Sequence, residues 1–151
     1  MHVFRLCRAR NAALDGEGAR LYGGRWNSPG RRVVYASSTL SLAVVETLAH
    51  LDPDLVPDDY VALTIEIPDA VAVESVDVTR LSSKWKNYDD TTECRLIGNA
   101  WYDGGASAVL RVPAAPVPAE NNSLLNVAHA DMQRIRVVAT MPFQFDPRLA
   151  R

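Results

Sequence analysis

GGRWN (Gly23–Asn27), VVYAS (Val33–Ser37) and TLSLAVVETLAHL (Thr39–Leu51) follow one another with short gaps, and their reading sets the fold. The first is a Gly-rich loop carrying an Arg. The second is a β-branched run of strand character that holds a Tyr. The third has helical apolar spacing, with Ser37, Ser38 and Thr39 offering N-cap oxygens ahead of it. Pro53 and Pro57 close the helical region.

Working outward, Tyr60–Pro68 alternates strictly and places Val61, Leu63, Ile65 and Ile67 on one face, the clearest strand pattern in the chain. Val3–Arg8, Val71–Val78, Ala108–Val112 and Arg134–Pro142 also read as extended. Asp90-Thr91-Thr92-Glu93 has capping-box spacing. It predicts a helix from about Thr91 to Tyr102, with Cys94, Ile97 and Trp101 on one stripe and Gly104-Gly105 as its stop. Asn11–Gly30 reads as a long ordered loop, and Ala119–Met132 as an Asn-rich excursion around LLN. Helices and strands do not alternate regularly. The expected class is therefore α+β, a compact mixed β core with two main helices, rather than a doubly wound sheet.

Composition narrows the function. A chain of 151 residues predicts a single domain over 1–151, and an apolar share of 48% is enough for a packed core. The net charge of −2 argues against a nucleic-acid partner, which needs clustered Lys and Arg. No apolar run approaches the roughly 20 residues of a membrane span. The opening MHVFRLCRAR lacks the apolar core of a signal peptide, so a soluble cytoplasmic protein is expected, and the Asn121-Asn122-Ser123 sequon is discounted. Cys7 and Cys94 stand far apart and read as free, buried thiols. His129 and Asp131 lack companions for a metal site, so no metal is expected. His2, His50 and His129 read as loop or surface residues. No nucleophile elbow, P-loop or dinucleotide fingerprint is present.

Three residues of the opening stretch carry chemistry. Glu46 has Leu42, Ala43, Ala49 and His50 as its helical neighbours, so the local sequence supplies no cation unless His50 is charged. Such a carboxylate either reaches water at the helix edge or lies in a cleft, since burying it unpaired costs several kcal/mol. Arg25 is either a loop clamp or an anion-binding fork beside Gly23 and Gly24. Tyr35 is either a packed aromatic or a ring that stacks on a planar heterocycle. Trp26 reads as core or as a stacking wall, and the Asn residues around LLN as turn supports.

These motifs, in this order, resemble the RES domain, the toxin half of bacterial toxin–antitoxin pairs. VPAAPVP (Val112–Pro118) and NSLLNVAHAD (Asn122–Asp131) resemble that family's C-terminal segment, and the likeness runs from about Arg5 to Val138. The resemblance implies the ADP-ribosyltransferase fold of the diphtheria-toxin type and NAD+ as consumed substrate. It places the family's Arg, Tyr and Glu on Arg25, Tyr35 and Glu46 as catalytic residues. Arg25, Tyr35, Trp26, Asn27, Ala114 and Asn122 are the expected NAD contacts. The family's Ser falls on Ala114, which removes an expected hydroxyl. The resemblance implies either ADP-ribosylation of a target protein, the favoured reading, or NAD+ degradation with water or phosphate as acceptor. Ala114 also keeps open a catalytically weak module that binds NAD+ or an antitoxin. The implied partner is a helix-turn-helix antitoxin that covers the active site.

Overall fold

A computed structural model describes residues 1–149. The elements in chain order are β1 (His2–Arg8), α1 (Glu17–Tyr22), β2 (Val33–Ser37), α2 (Leu40–His50), β3 (Tyr60–Glu66), β4 (Val73–Ser75), α3 (Thr92–Gly104), β5 (Val109–Pro113), β6 (Asn121–Asn126) and β7 (Arg136–Phe143). The class is α+β, as the irregular order of elements implies.

The strands form one seven-stranded sheet in the order β4-β5-β6-β2-β1-β3-β7, antiparallel except between β4 and β5. One join is much weaker than its neighbours. β1 pairs with β3 from His2 to Arg8, and β2 pairs with β6 from Val33 to Ser37. Yet β1 and β2 meet only where Phe4 lies opposite Ser37. The sheet is thus two well-paired runs of strands joined at a single rung. A cavity opens in the gap beside that rung.

The strands β2, β5 and β6 divide their side chains between two cores, as a two-residue period requires. On β2, Val34 and Ala36 join a cluster with Val3, Leu63, Ile65 and Leu125. Val33 and Tyr35 pack with a second cluster of Trp26, Trp85, Cys94, Trp101 and Leu124. Leu63, Ile65 and Ile67 are buried as their alternation predicts. α3 buries Cys94, Gly98 and Trp101. Gly98 is a packing glycine: a Cβ there would lie 1.7 Å from the Trp26 carbonyl oxygen.

Four boundaries differ from expectation. Asn121–Asn126 is a strand because Ser123, Leu124, Leu125 and Asn126 are all buried. A central strand covered on both faces loses the alternation that reveals a half-exposed one. The loop 11–30 contains α1, whose flanking glycines serve as caps: Gly16 has φ 64° and Gly23 φ 71°. Val71–Val78 contributes only the short β4. The capping box does not form either. Asp90 Oδ1 accepts from the Thr92 N–H, while the Glu93 carboxylate accepts from Ser82 N and Oγ in the preceding loop.

Candidate active site

A cavity of about 820 Å³ occupies the gap between β1 and β2 and runs beneath α2. Its size is that of a small-molecule site. Phe4, Arg5 and Leu6 line it from β1, and Tyr35, Ala36 and Ser37 from β2. α2 contributes Glu46 and His50, β6 contributes Asn122, and the GGRWN turn contributes Arg25.

Glu46 is half-buried, and its partner comes from across the sheet. Thr39 caps α2 by accepting the Leu42 N–H at 3.0 Å, which fixes where the helix starts and which face it turns inward. One turn later, Glu46 Oε1 accepts a hydrogen bond from Asn122 Nδ2 at 2.6 Å. Asn122 Oδ1 accepts in turn from the hydroxyl of Ser37, a buried residue, at 2.9 Å. Ser37 and Asn122 are directly opposite in the β2–β6 ladder. Sheet register therefore aims the amide at the carboxylate. A charge-assisted bond of this kind holds the carboxylate in one orientation without neutralising it.

Tyr35 lines the cavity, but its hydroxyl is committed elsewhere. It donates to Asn27 Oδ1 at 2.6 Å and accepts from the Trp26 N–H at 3.1 Å. Burial pushes its pKa well above the ordinary phenol range. The group stays neutral and pins the GGRWN turn to β2. Gly24 is required for this approach, since a Cβ there would lie 2.6 Å from the Tyr35 oxygen. The space left by the absent side chain of Gly24 is taken by the Tyr35 hydroxyl.

Arg25 also lines the cavity, and its guanidinium grips a loop. Nη1 donates to the carbonyls of Trp85 (2.8 Å) and Asn87 (2.9 Å), and Nη2 to that of Lys86 (3.3 Å). The same guanidinium lies beside Cys94, whose thiol pKa is raised by burial and partly drawn back by the Arg25 charge. Of the two readings of Arg25, the clamp is the one with partners in the structure. Arg5, which sequence reading passed over, is a cavity-lining cation without side-chain partners among the described residues. Arg5 makes no side-chain hydrogen bond or ion pair among the described residues, and its Nε is buried and unsatisfied. Nothing in the pattern of β1 distinguishes this Arg from Arg8, which is paired with Asp59. His50, also expected as a mere surface residue, is exposed one turn beyond Glu46 on the cavity wall.

Three expected ligand contacts sit differently. Asn27 is 1% exposed and lies outside the cavity lining, bonding Tyr35, Ala19 and Ser28. Trp26 reaches the wall but is buried, its ring 6.4 Å from that of Trp85. Ala114 is fully buried and is absent from the lining, although Pro113 and Ala115 on either side belong to it. Its backbone N–H donates to the Glu120 carbonyl at the end of β5. Ala114 itself therefore adds no atom to the cavity wall.

His129 Nδ1 accepts from the Asp131 N–H, and no cluster of metal-ligating side chains occurs among the described residues. Among those residues, no helix is long and apolar enough to cross a membrane.

The sequence matches the family model of the RES domain over residues 2–146. The chain belongs to the RES domain family. This RES chain is 38% identical to Toxin Res of Photorhabdus laumondii, over 100% of its own length and 98% of that protein. It is 36% identical to the Prs ADP-ribosylating toxin of a Sphingobium species, over 91% and 87% of the two chains. Among solved structures, it resembles a chain of the M. tuberculosis MbcT–MbcA toxin–antitoxin complex with a TM-score of 0.75. That match has 25% identity and covers 99% of this chain and 86% of the other.

Proposed function

We propose that this RES chain is a toxin that cleaves NAD+ at the nicotinamide–ribose bond and transfers the ADP-ribosyl group, with a target protein as the favoured acceptor. The observation that carries the reading is the Glu46 carboxylate, held by Asn122 on the wall of a cavity of dinucleotide size. Breaking the C1′–N bond sends its electron pair onto the nicotinamide ring and leaves an oxocarbenium-like ribose. Glu46 accepts a hydrogen bond from a hydroxyl of that ribose and stabilises the positive charge as it develops. The Tyr35 ring packs against the nicotinamide. Arg5, with its uncommitted guanidinium, takes the pyrophosphate in place of Arg25. An acceptor nucleophile then attacks C1′ and gives up its proton.

The acceptor follows the name of the Sphingobium relative, an ADP-ribosylating toxin. Water or phosphate as acceptor would make the protein an NAD+ glycohydrolase or phosphorylase acting through the same groups. The related complex supports a cognate antitoxin as partner. A helix-turn-helix protein covering this opening, with both proteins in the cytoplasm, completes the reading. The test is nicotinamide release from NAD+ by the purified chain, followed by product identification with labelled NAD+ in lysate. A discrete labelled protein supports transfer, and free ADP-ribose or its phosphate without a labelled band supports degradation. No nicotinamide release by folded wild-type protein removes the reading.

A further inference from the structure

The loop that Arg25 grips has a composition found nowhere else in the chain. Lys84 and Lys86 are the only lysines among the 16 basic side chains, and both lie in the segment joining β4 to α3. Elsewhere the chain uses Arg, largely in forks against carboxylates such as Asp59, Asp103 and Glu17. The two lysines differ from each other. Lys84 lies near Asp90 and helps hold its carboxyl below the usual range, behind the hydrogen bonds from Thr92. Lys86 makes no ion pair among the described residues and lines the cavity.

The root of this strap is fixed. Trp85 is buried against Trp26, its carbonyl accepts from Arg25 and from the Cys94 thiol, and Ser82 is tied to Glu93. Beyond the root, the side chains of Lys86 to Asp89 make no hydrogen bond among the described residues, and Tyr88 is 91% exposed on the cavity lining. Without Arg25, the carbonyls of Lys86 and Asn87 would lose their side-chain donor and that of Trp85 would keep only the Cys94 thiol, so the turn bond from the Asn87 N–H to the Lys84 carbonyl would be left to set where Lys86 and Tyr88 stand. A compact ammonium on a flexible stem suits a phosphate approached from solvent, and an exposed aromatic face suits a second planar base.

We propose that the strap 84–91 is the outer wall of the ligand site, that Lys86 and Tyr88 contact the diphosphate and far base of a dinucleotide, and that Arg25 is the positioning residue that sets the strap. This deepens the NAD+ reading and rests on it for the identity of the ligand.

The lysine distribution supplies the test. A lysine-specific endoproteinase can cut the folded chain only in the strap. Arg25→Met should raise the rate of cutting after Lys84 and Lys86 at least about tenfold over wild type, because local opening governs cleavage. Arg25→Lys, which retains a donor, should recover part of the protection. ADP-ribose at saturating concentration should slow the Lys86 cut in wild type and not in Arg25→Met. Lys86→Ala and Tyr88→Ala should raise KM for NAD+ severalfold with kcat within about twofold. Equal cutting of wild type and Arg25→Met overturns the positioning role. Failure of ADP-ribose to protect, or an unchanged KM in both strap variants, overturns the contact role. Protection by ADP-ribose in a wild-type protein that releases no nicotinamide would sink the proposed reaction and leave the strap standing.

Discussion

The two ends of the cavity are built on different principles. At the inner end, Glu46, Asn122 and Ser37 come from a helix and two paired strands, and each side chain is aimed by another side chain. At the outer end, Arg25 holds bare backbone carbonyls, and the groups it positions point into solvent. The first arrangement fixes one atom, the Glu46 oxygen, to within the tolerance of a hydrogen bond. The second fixes the path of a loop and leaves its side chains free to adapt. An end that must meet a developing charge benefits from rigidity. An end that only selects and holds a ligand does not need it.

The largest expected effect tests the inner end directly. Glu46→Gln keeps the shape and can still accept from Asn122, but it removes the charge. Nicotinamide release should fall about 10²–10³-fold, with thermal stability nearly unchanged. Equal turnover by the two proteins would show that no charge at this end assists the reaction. Next comes the group that aims the carboxylate. Asn122→Ala removes a hydrogen bond to a charged acceptor, worth about 1.5–3 kcal/mol, so kcat should drop roughly 10–100-fold. KM should move little, because Asn122 acts through Glu46. If KM rises while kcat holds, Asn122 is a ligand contact and the inner relay is misread.

A third substitution disturbs the outer end from below without touching its polar groups. Gly98→Ala places a methyl against the Trp26 carbonyl, in the packing that seats both the GGRWN turn and Trp85. Overpacking of this kind costs about 1–3 kcal/mol, partly offset by the better helix propensity of Ala. A lower unfolding midpoint in denaturant with unchanged slope would register it. Lysine-specific cutting of the strap should accelerate more than nicotinamide release slows. A comparable loss at both readouts would mean that the two ends are mechanically one unit.

What the sequence made legible divides along the same line. The helix bearing Glu46, the strand bearing Tyr35 and the alternation of Tyr60–Pro68 are local patterns, and each is found where it was expected. The carboxylate's partner was not legible, because it depends on the register of β2 against β6, and β6 hides as an Asn-rich stretch buried on both faces. Arg25 and Arg5 show the complementary difficulty. A residue type announces that it can bind anions and leaves open whether the fold has already supplied an acceptor. Gly24 is similar: the sequence signals close approach of something to the backbone, and only the structure identifies the Tyr35 hydroxyl. The single-rung join of β1 to β2, which makes room for the site, is a pairing that fails to form, and no run of residues encodes it visibly.

The smallest effect concerns what supports the outer end electrostatically. Glu17 opens α1, the short helix that delivers Gly23 and Arg25, and its carboxylate binds Arg20 and Arg32. Its pKa falls to about 2, first through the hydrogen bond from Arg20 and then through the charges of Arg20 and Arg32. A carboxyl depressed in the folded state stabilises above its unfolded pKa and loses that contribution as pH falls through the folded value. Between about pH 5 and pH 2 the wild type should therefore lose stability that Glu17→Gln does not have to lose, so their thermal midpoints should converge with acid. The pair is exposed, and the gap at neutral pH should be small and should shrink further in salt. Because the inner end is tied by Asn122 and Ser37 rather than by an Arg fork, the acid-sensitive part of the difference should appear in strap cutting. A gap that persists at pH 2 would place the effect of Glu17 in packing at the start of α1 and not in its charge.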